Sequence, residues 1–363
     1  MIKSKKLLAI GVITALGLAA CGSDDDSSST DAPAGTEAPA GTDAPAGTDG
    51  EMAESDATVG VVFDITGRGD RSFNDAAGAG LDQAVDEIGV TGIESTPTGD
   101  GDRAERVQGL VDDGAGLVVG VGFLFEDAIT NASAANPDTS FAIIDSVVDA
   151  PNVASLVFAE EQGSFLVGAA AALKSQTGTV GFIGGVENDL IKKFEAGFVA
   201  GATTANPDIE VLVNYITQPP DFGGFNDPAR AKEIAAAQYE AGADIIYSAA
   251  GSSGLGVFEA AAEAGEPGDV WAIGVDSDQY NLVAPELQPY ILTSMLKKVD
   301  VATFDTIAAF ADGSFESGVQ VFDLASDGVG YSTTGGFVDD ITADLDAYAQ
   351  QIIDGEIEVP SAP

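Results

Sequence analysis

The sequence predicts an α/β protein built as two doubly wound lobes in series. Three observations lead there: 363 residues suffice for two domains of ordinary size, 45% of them are hydrophobic, and from Thr58 onward short apolar runs alternate with helical patterns. Alternation of this kind makes βαβ units, hence parallel sheets covered by helices on both faces.

The first series runs from strand "VGVVFDI" to a helix over Phe73–Ile88, strand "TGIES", a helix around "RAERVQGLVDD", strand "GLVVGVG", a helix from Glu126, and strand "SFAIID". A second series starts at "TVGFIGG" and continues through "IEVLVNYI", "ADIIYSAA" and "VWAIGVD", each followed by helix or loop. Between them "GSFLVGAAAALKS", rich in small residues, is expected as a helix near the first crossover. At the head of the first helix Ser72 is expected as the N-cap, Asp75 as its capping-box partner and Gly89 as the stop. Phe73 and Asn74 then occupy the first helical turn, beside the crevice in which open sheets of this type bind ligands. The residues alone serve equally well as a hydrophobic staple, Phe73, and a solvent-exposed turn residue, Asn74.

Ahead of the body, "MIKSKKLLAIGVITALGLAAC" sets Lys3, Lys5 and Lys6 before an apolar run from Leu7 to about Ala20. The run falls short of the roughly 20 residues of a comfortable membrane span and has the layout of a secretory signal. Leu18-Ala19-Ala20-Cys21 resembles the bacterial lipobox, which implies cleavage before Cys21 and acylation of its thiol. The single cysteine of the chain thereby acquires a role that an ordinary cleaved signal leaves unexplained. Residues 22–57 hold the repeats "APAGTE", "APAGTD" and "APAGTD" in an acidic Ala/Pro/Gly/Thr tract, expected as a disordered linker because it has nothing to bury. As a flexible coil of about 35 residues it reaches roughly 30 to 35 Å, and two or more acyl chains on one cysteine make such a tether stable.

Asp and Glu total 59 against 14 Lys and Arg, a formal net charge of -45 at pH 7. That field repels phosphate, so DNA, RNA and free nucleotides are poor partners and a neutral ligand feels little of it. Its plainest use is solubility in a salty or crowded exterior. Histidine is absent, which removes the commonest general base, the Ser-His-Asp and Cys-His arrangements and most zinc sites. No cofactor and no metal is expected. The loop "AAGSSGLG" lacks the Lys-Ser/Thr of a P-loop and the spacing of a dinucleotide fingerprint, and "DSD" at Asp276–Asp278 lacks the later Glu of an EF-hand. Arg68-Gly69-Asp70 is read as a chance tripeptide.

Longer motifs carry a family resemblance. "DITGRGDRSFND", "GFLFEDAI", "FAIIDSVV", "NVASLVFAEEQGSFLVGAAAALKSQTGTVGFIGG", "LIKKFEAGFVAG", "GFNDPARAKEIA", "YSAAGSSGLGVFEAA", "WAIGVDSDQY" and "ILTSMLKKVDVA" resemble the basic membrane protein, or PnrA-like, family of substrate-binding lipoproteins, which serve ABC importers of purine nucleosides. The likeness runs from about Thr58 to the C-terminus. It implies a type I periplasmic-binding-protein-like fold, two Rossmann-like lobes joined by three hinge strands: an N-terminal lobe of residues 58–175 plus about 299–323, and a C-terminal lobe of 176–298 plus about 324–358.

For the site, the resemblance implies that Phe73 and Phe225 of "FNDP" sandwich the purine, with Phe222 of "QPPDFGGFNDP" as a second candidate because the family usually has a shorter approach there. Stacking on an aromatic suits a flat, neutral, polarisable ring and is worth about 1 to 3 kcal/mol per base. Asn74 and Asp127 would read the base edge, the carboxamide both donating and accepting, the carboxylate accepting only. Asp276 and Lys297 would hold the ribose diol, one accepting from it and one donating, with backbone of Gly251 and Gly254 close by. Asp64 either contacts the ligand or satisfies the turn that follows it.

The implied protein is a monomeric, lipid-anchored, extracytoplasmic receptor that hands a nucleoside to an ABC permease in the membrane. Another reading keeps the fold and changes the ligand to a sugar or amino acid, or makes the protein a sensor lipoprotein. An enzyme such as a nucleoside hydrolase would need an activated water, usually on calcium held by an aspartate cluster, and the sequence offers no tight one.

Overall fold

The computed structural model describes residues 55–99 and 101–363. The signal, Cys21 and the linker up to residue 54 lie outside them. In chain order the strands are β1 (Thr58–Val62), β2 (Thr91–Ser95), β3 (Leu117–Val121), β4 (Ser140–Ile144), β5 (Val153–Phe158), β6 (Thr179–Val186), β7 (Glu210–Thr217), β8 (Ile245–Ala249), β9 (Trp271–Asp276), β10 (Ile291–Lys297), β11 (Gly318–Phe322) and β12 (Val329–Tyr331). The helices are α1 (Phe73–Ile88), α2 (Arg103–Asp112), α3 (Glu126–Ala135), α4 (Glu160–Lys174), α5 (Asp189–Ala205), α6 (Pro228–Glu240), α7 (Gly254–Ala264), α8 (Val299–Asp312) and α9 (Thr342–Ile353).

The strands form two six-stranded sheets, ordered β11-β5-β4-β3-β1-β2 and β12-β10-β9-β8-β6-β7. Among the described residues, only the pairing of β10 with β12 is antiparallel. Both sheets share one winding, and in each the order reverses, between β1 and β3 and between β6 and β8. Helices leave on opposite faces at such a reversal, which opens a crevice outside the carboxyl ends of the strands. The central strands β3, β8 and β9 are buried throughout, and for that reason they read in sequence as unbroken apolar runs.

Strands β5, β10, β11 and β12 are additional to those the sequence predicts. β10 escapes a hydrophobicity reading because "ILTSMLK" buries Thr293, Ser294 and Lys297 among its apolar residues. Each polar group there has a partner; Thr293, for one, donates to the carbonyl of Ser332 at 2.6 Å. β11 and β12 lie at sheet edges and are short.

Helix α1 spans the residues predicted for it and ends at Gly89, left-handed at φ 77°. Its capping differs from the expected box. Arg71 is itself left-handed (φ 56°), and the turn swings Asp70 over the helix start, where its carboxylate accepts from the backbone N–H of Ser72, Asn74 and Asp75 at 3.0, 2.8 and 3.1 Å. An anion there meets the unpaired amides and the positive end of the helix dipole. Asp75 accepts from the amides of Gly69 and Arg71 instead, and Ser72 is released for another contact.

α4 leads from β5 to β6 and packs on α5, β10 and β12. The expected lobe division at residue 175 would leave α4 with the first sheet, whereas the packing divides the chain near Ala159. α8 returns to the first sheet and packs on α1, and residues 323–328 cross once more to β12. α4 and α5 meet backbone to backbone: a Cβ on Gly168 would lie 2.1 Å from the carbonyl oxygen of Phe198, and one on Gly201 1.9 Å from that of Phe165. This accounts for the small residues of "GSFLVGAAAALKS" and "FEAGFVAG". It also brings Glu160, at the start of α4, against Lys193 of α5.

Candidate ligand-binding site

A cavity of about 340 Å³ opens between the carboxyl edges of the two sheets, a size suited to a small organic ligand. From the first sheet come Asp64 after β1, Phe73 and Asn74 at the start of α1, Phe123 after β3 and Asp145 after β4. The second contributes Phe222 and Phe225 after β7, Gly251 after β8, and Asp276 and Lys297 at the ends of β9 and β10. Seven of the residues expected from the sequence, Asp64, Phe73, Asn74, Phe225, Gly251, Asp276 and Lys297, therefore line one space.

Two expected residues do not. Asp127 is exposed in the first turn of α3, where its negative charge favours the helix start, and from its segment Phe123 and Leu124 face the cavity instead. Gly254 begins α7, and a Cβ there would sit 3.0 Å from the hydroxyl oxygen of Ser248, so its smallness serves helix-on-strand packing. Gly251, at φ 56°, does border the cavity, and a Cβ on it would approach the carbonyl of Phe225 to 3.4 Å.

The aromatic rings are supported differently. Phe225 packs on Gly185 of β6 so closely that a Cβ there would fall 2.5 Å from the ring. Phe222 reaches across to Phe123, with ring centroids 5.9 Å apart and planes at 61°, an edge contact between the two lobes. Phe73 is half-buried, and the Lys297 ammonium lies 5.2 Å from its ring centroid.

Asn74 is 3% exposed, which rules out a solvent-exposed turn residue. Its Nδ2 donates to Thr66 Oγ1 (2.8 Å) and Asp70 Oδ2 (2.9 Å), and its Oδ1 accepts from the amide of Asp64 (2.9 Å). Both N–H groups are spent, which leaves a ligand only the remaining lone pair of Oδ1. The carboxamide ties the end of β1 to the start of α1, so Asn74→Ala is expected to destabilise the unliganded protein by about 1 to 3 kcal/mol. Urea denaturation of the variant checks this; an unchanged midpoint would mean that the three bonds contribute nothing net.

Lys297 is 2% exposed and is the centre of a buried charge cluster. Its Nζ donates to both carboxylate oxygens of Asp145 at 2.6 Å, lies 3.1 Å from Glu160 Oε1, and sits 4.9 Å from the ring of Phe158 and 5.6 Å from that of Phe194. Lys193 completes the cluster against Glu160 and Glu161. The three carboxylates Asp145, Glu160 and Asp276 hold the Lys297 ammonium above its ordinary pKa even though burial opposes its charge. Burial pushes the Asp145 carboxyl upward despite the Lys297 charge beside it. Burial likewise pushes Asp276 to about 6, against the pull of Lys297 and a hydrogen bond from Ser72. Asp64 accepts from Arg103 at 3.1 Å and from the amide of Ile65 at 2.8 Å.

Asp70, Arg103, Phe123 and Asp145 are site residues that the sequence reading did not assign to the site, and Ser72, expected only as a helix cap, contacts Asp276. Asp145 had a signal of a kind, as the acid ending an apolar strand in "SFAIID".

Two like-wound lobes with a lined cavity between their carboxyl edges define the two-lobed, periplasmic-binding-protein-like fold class. Residues 57–362 match the family described as ABC transporter substrate-binding protein PnrA-like, and the chain belongs to that family. It is 36% identical to the ABC transporter nucleoside-binding protein BmpA of Lactococcus lactis, over 85% of this chain and 90% of that one. It is 35% identical to the CD4+ T-cell-stimulating antigen of Listeria innocua over 98% of both. Among solved structures, an ABC transporter solute-binding protein from Aeropyrum pernix superposes with a TM-score of 0.74 at 28% identity, covering 84% of this chain and 93% of its own. The family is one of solute-binding proteins that work outside the cytoplasm with a membrane permease, not of enzymes.

Proposed function

We propose that this protein binds a purine nucleoside between its lobes and presents it to an ABC permease, held at the outer face of the membrane by lipid on Cys21. The observation that carries the ligand assignment is the presence of Phe73 from one lobe and Phe225 from the other in a single cavity, with Asp276 and Lys297 at its side. Phe225 is the stacking ring of the second lobe because β6 backs it, and Phe222 with Phe123 closes the rim. The edge of the base meets Asn74 Oδ1, and the ribose diol donates to Asp276. The ligand is uncharged: the cavity carries Asp64, Asp70, Asp145, Asp221 and Asp276, and its cations Lys297 and Arg103 are ion-paired to Asp145 and Asp64, which disfavours a phosphate.

The name of the Lactococcus lactis relative supports the nucleoside. The lipid anchor is supported by the lipobox-like Leu18-Ala19-Ala20-Cys21. Mass spectrometry of the small molecule released when the freshly purified protein is denatured tests the assignment. A purine nucleoside is expected; a sugar or an amino acid in stoichiometric amount would overturn it.

The raised Asp276 carboxyl makes binding pH-dependent. Hydroxyl groups donate more strongly to the charged carboxylate than to the protonated acid, so affinity should be full above pH 7 and fall through about pH 6, losing up to roughly tenfold by pH 5. The same shift acts on folding with its own sign. A carboxyl raised in the folded state contributes stability that is present below its ordinary pKa near about 4 and is lost as pH rises through about 6. Titration calorimetry at pH 5 and 7.5 reads the binding effect, and a flat profile would remove Asp276 from the ligand.

A further inference from the structure

Asp276 and Lys297, the charged groups at the ribose side of the second lobe, are each contacted by a residue of the first, and Lys297 also by Glu160 of its own lobe. Asp276, at the end of β9, accepts at Oδ2 from the hydroxyl of Ser72, 2.5 Å away and fully buried between β1 and α1. Lys297, at the end of β10, is gripped through both oxygens of Asp145, which follows β4. The Ser72 loop is itself drawn against the second lobe, because Ser277 Oγ donates to the carbonyl of Ser72 at 3.1 Å and Gln279 Nε2 to that of Arg71 at 2.9 Å.

Backbone geometry points the same way. Asp145 and Asp276 are left-handed, at φ 67° and 66°, and Arg71 beside Ser72 is so too. Non-glycine residues persist in that region when surrounding bonds over-determine them, and here those bonds cross from lobe to lobe. We infer that Ser72 and Asp145 are positioning residues that act across the lobes: Ser72 orients the Asp276 carboxylate toward the ribose diol, and Asp145, with Glu160, fixes the Lys297 ammonium beside it. A ligand carrying both vicinal hydroxyls favours the joined state more than one without them, since a ligand shifts such an equilibrium only by its difference in affinity for the two states.

The inference rests on the nucleoside reading and is tested by comparing inosine with 2′,3′-dideoxyinosine, which keeps the base and lacks the diol. Calorimetric dissociation constants for both are measured on the full chain and on Ser72→Ala, Ser72→Thr and Asp145→Asn. The wild-type protein should prefer inosine by about tenfold or more. Ser72→Ala should lose most of that preference while dideoxyinosine affinity changes much less, Ser72→Thr, which keeps the hydroxyl, should restore it, and Asp145→Asn should lower inosine affinity more than dideoxyinosine affinity. Should Asp145→Asn fail to fold, the Ser72 pair of variants carries the comparison alone. Equal losses for both ligands, or a preference surviving in Ser72→Ala, would overturn the positioning role. Wild-type protein that binds neither ligand would contradict the nucleoside reading instead, a different result from either.

Discussion

Lys297→Met should destabilise the fold by about 3 to 5 kcal/mol, the cost of breaking a buried ion pair by removing one partner. Methionine is close to lysine in length and fills the same apolar sleeve of Phe73, Phe158 and Phe194, so the loss does not come from a cavity. It comes from Asp145 and Glu160, whose side chains are 5% and 1% exposed. Lys193 still faces Glu160, but Asp145 loses the cation that contacts both its oxygens. The sign with pH follows. Burial already raises the Asp145 carboxyl, and removing the ammonium raises it further, so the variant's folded state takes up a proton that the unfolded chain gives away. Stability of the variant should therefore recover on acidification from pH 8 to pH 5. Guanidinium denaturation at both values checks the prediction; a loss below about 1 kcal/mol, or one independent of pH, would mean that Lys297 does not hold the cluster together.

Phe73→Ala should weaken nucleoside binding by about 1 to 3 kcal/mol, roughly 5- to 150-fold, the range for one base–aromatic stack. The substitution also uncovers the Lys297 ammonium, 5.2 Å from the ring centroid, and lets water reach it. Phe225→Ala should lose a similar amount, because its ring is fixed against Gly185 and so is ordered before the ligand arrives. Phe222→Ala should instead speed release with a smaller change in affinity, since its ring is engaged with Phe123 at the rim. Stopped-flow fluorescence together with calorimetry separates these outcomes. A large affinity loss for Phe222→Ala with none for Phe225→Ala would exchange their roles.

What could be read from the sequence follows from which interactions are local. Parallel strands buried on both faces announce themselves as apolar runs, so β1, β3, β4, β6, β8 and β9 were legible, and so was the α1 stop at Gly89. Polar burial was not: β10 looks like an ordinary mixed segment until Lys297 is seen beside Asp145, 152 residues away. The helix cap was misplaced for a similar reason. Ser72 is the standard capping residue by type, but the left-handed Arg71 puts Asp70 at the amides and turns the Ser72 hydroxyl toward Asp276 in the other lobe. Motif resemblance located the residues around the cavity, yet it does not specify the face of a helix on which a residue falls. Asp127 shows this, exposed on α3 while Phe123 and Leu124 turn inward.

Calorimetry on ligand-stripped protein with inosine, adenosine and guanosine bears most directly on the claim that two rings, one from each lobe, clasp a purine. The expected result is saturable one-to-one binding for each at neutral pH, weakened strongly by Phe73→Ala and by Phe225→Ala. Absence of saturable heat with all three nucleosides would contradict it.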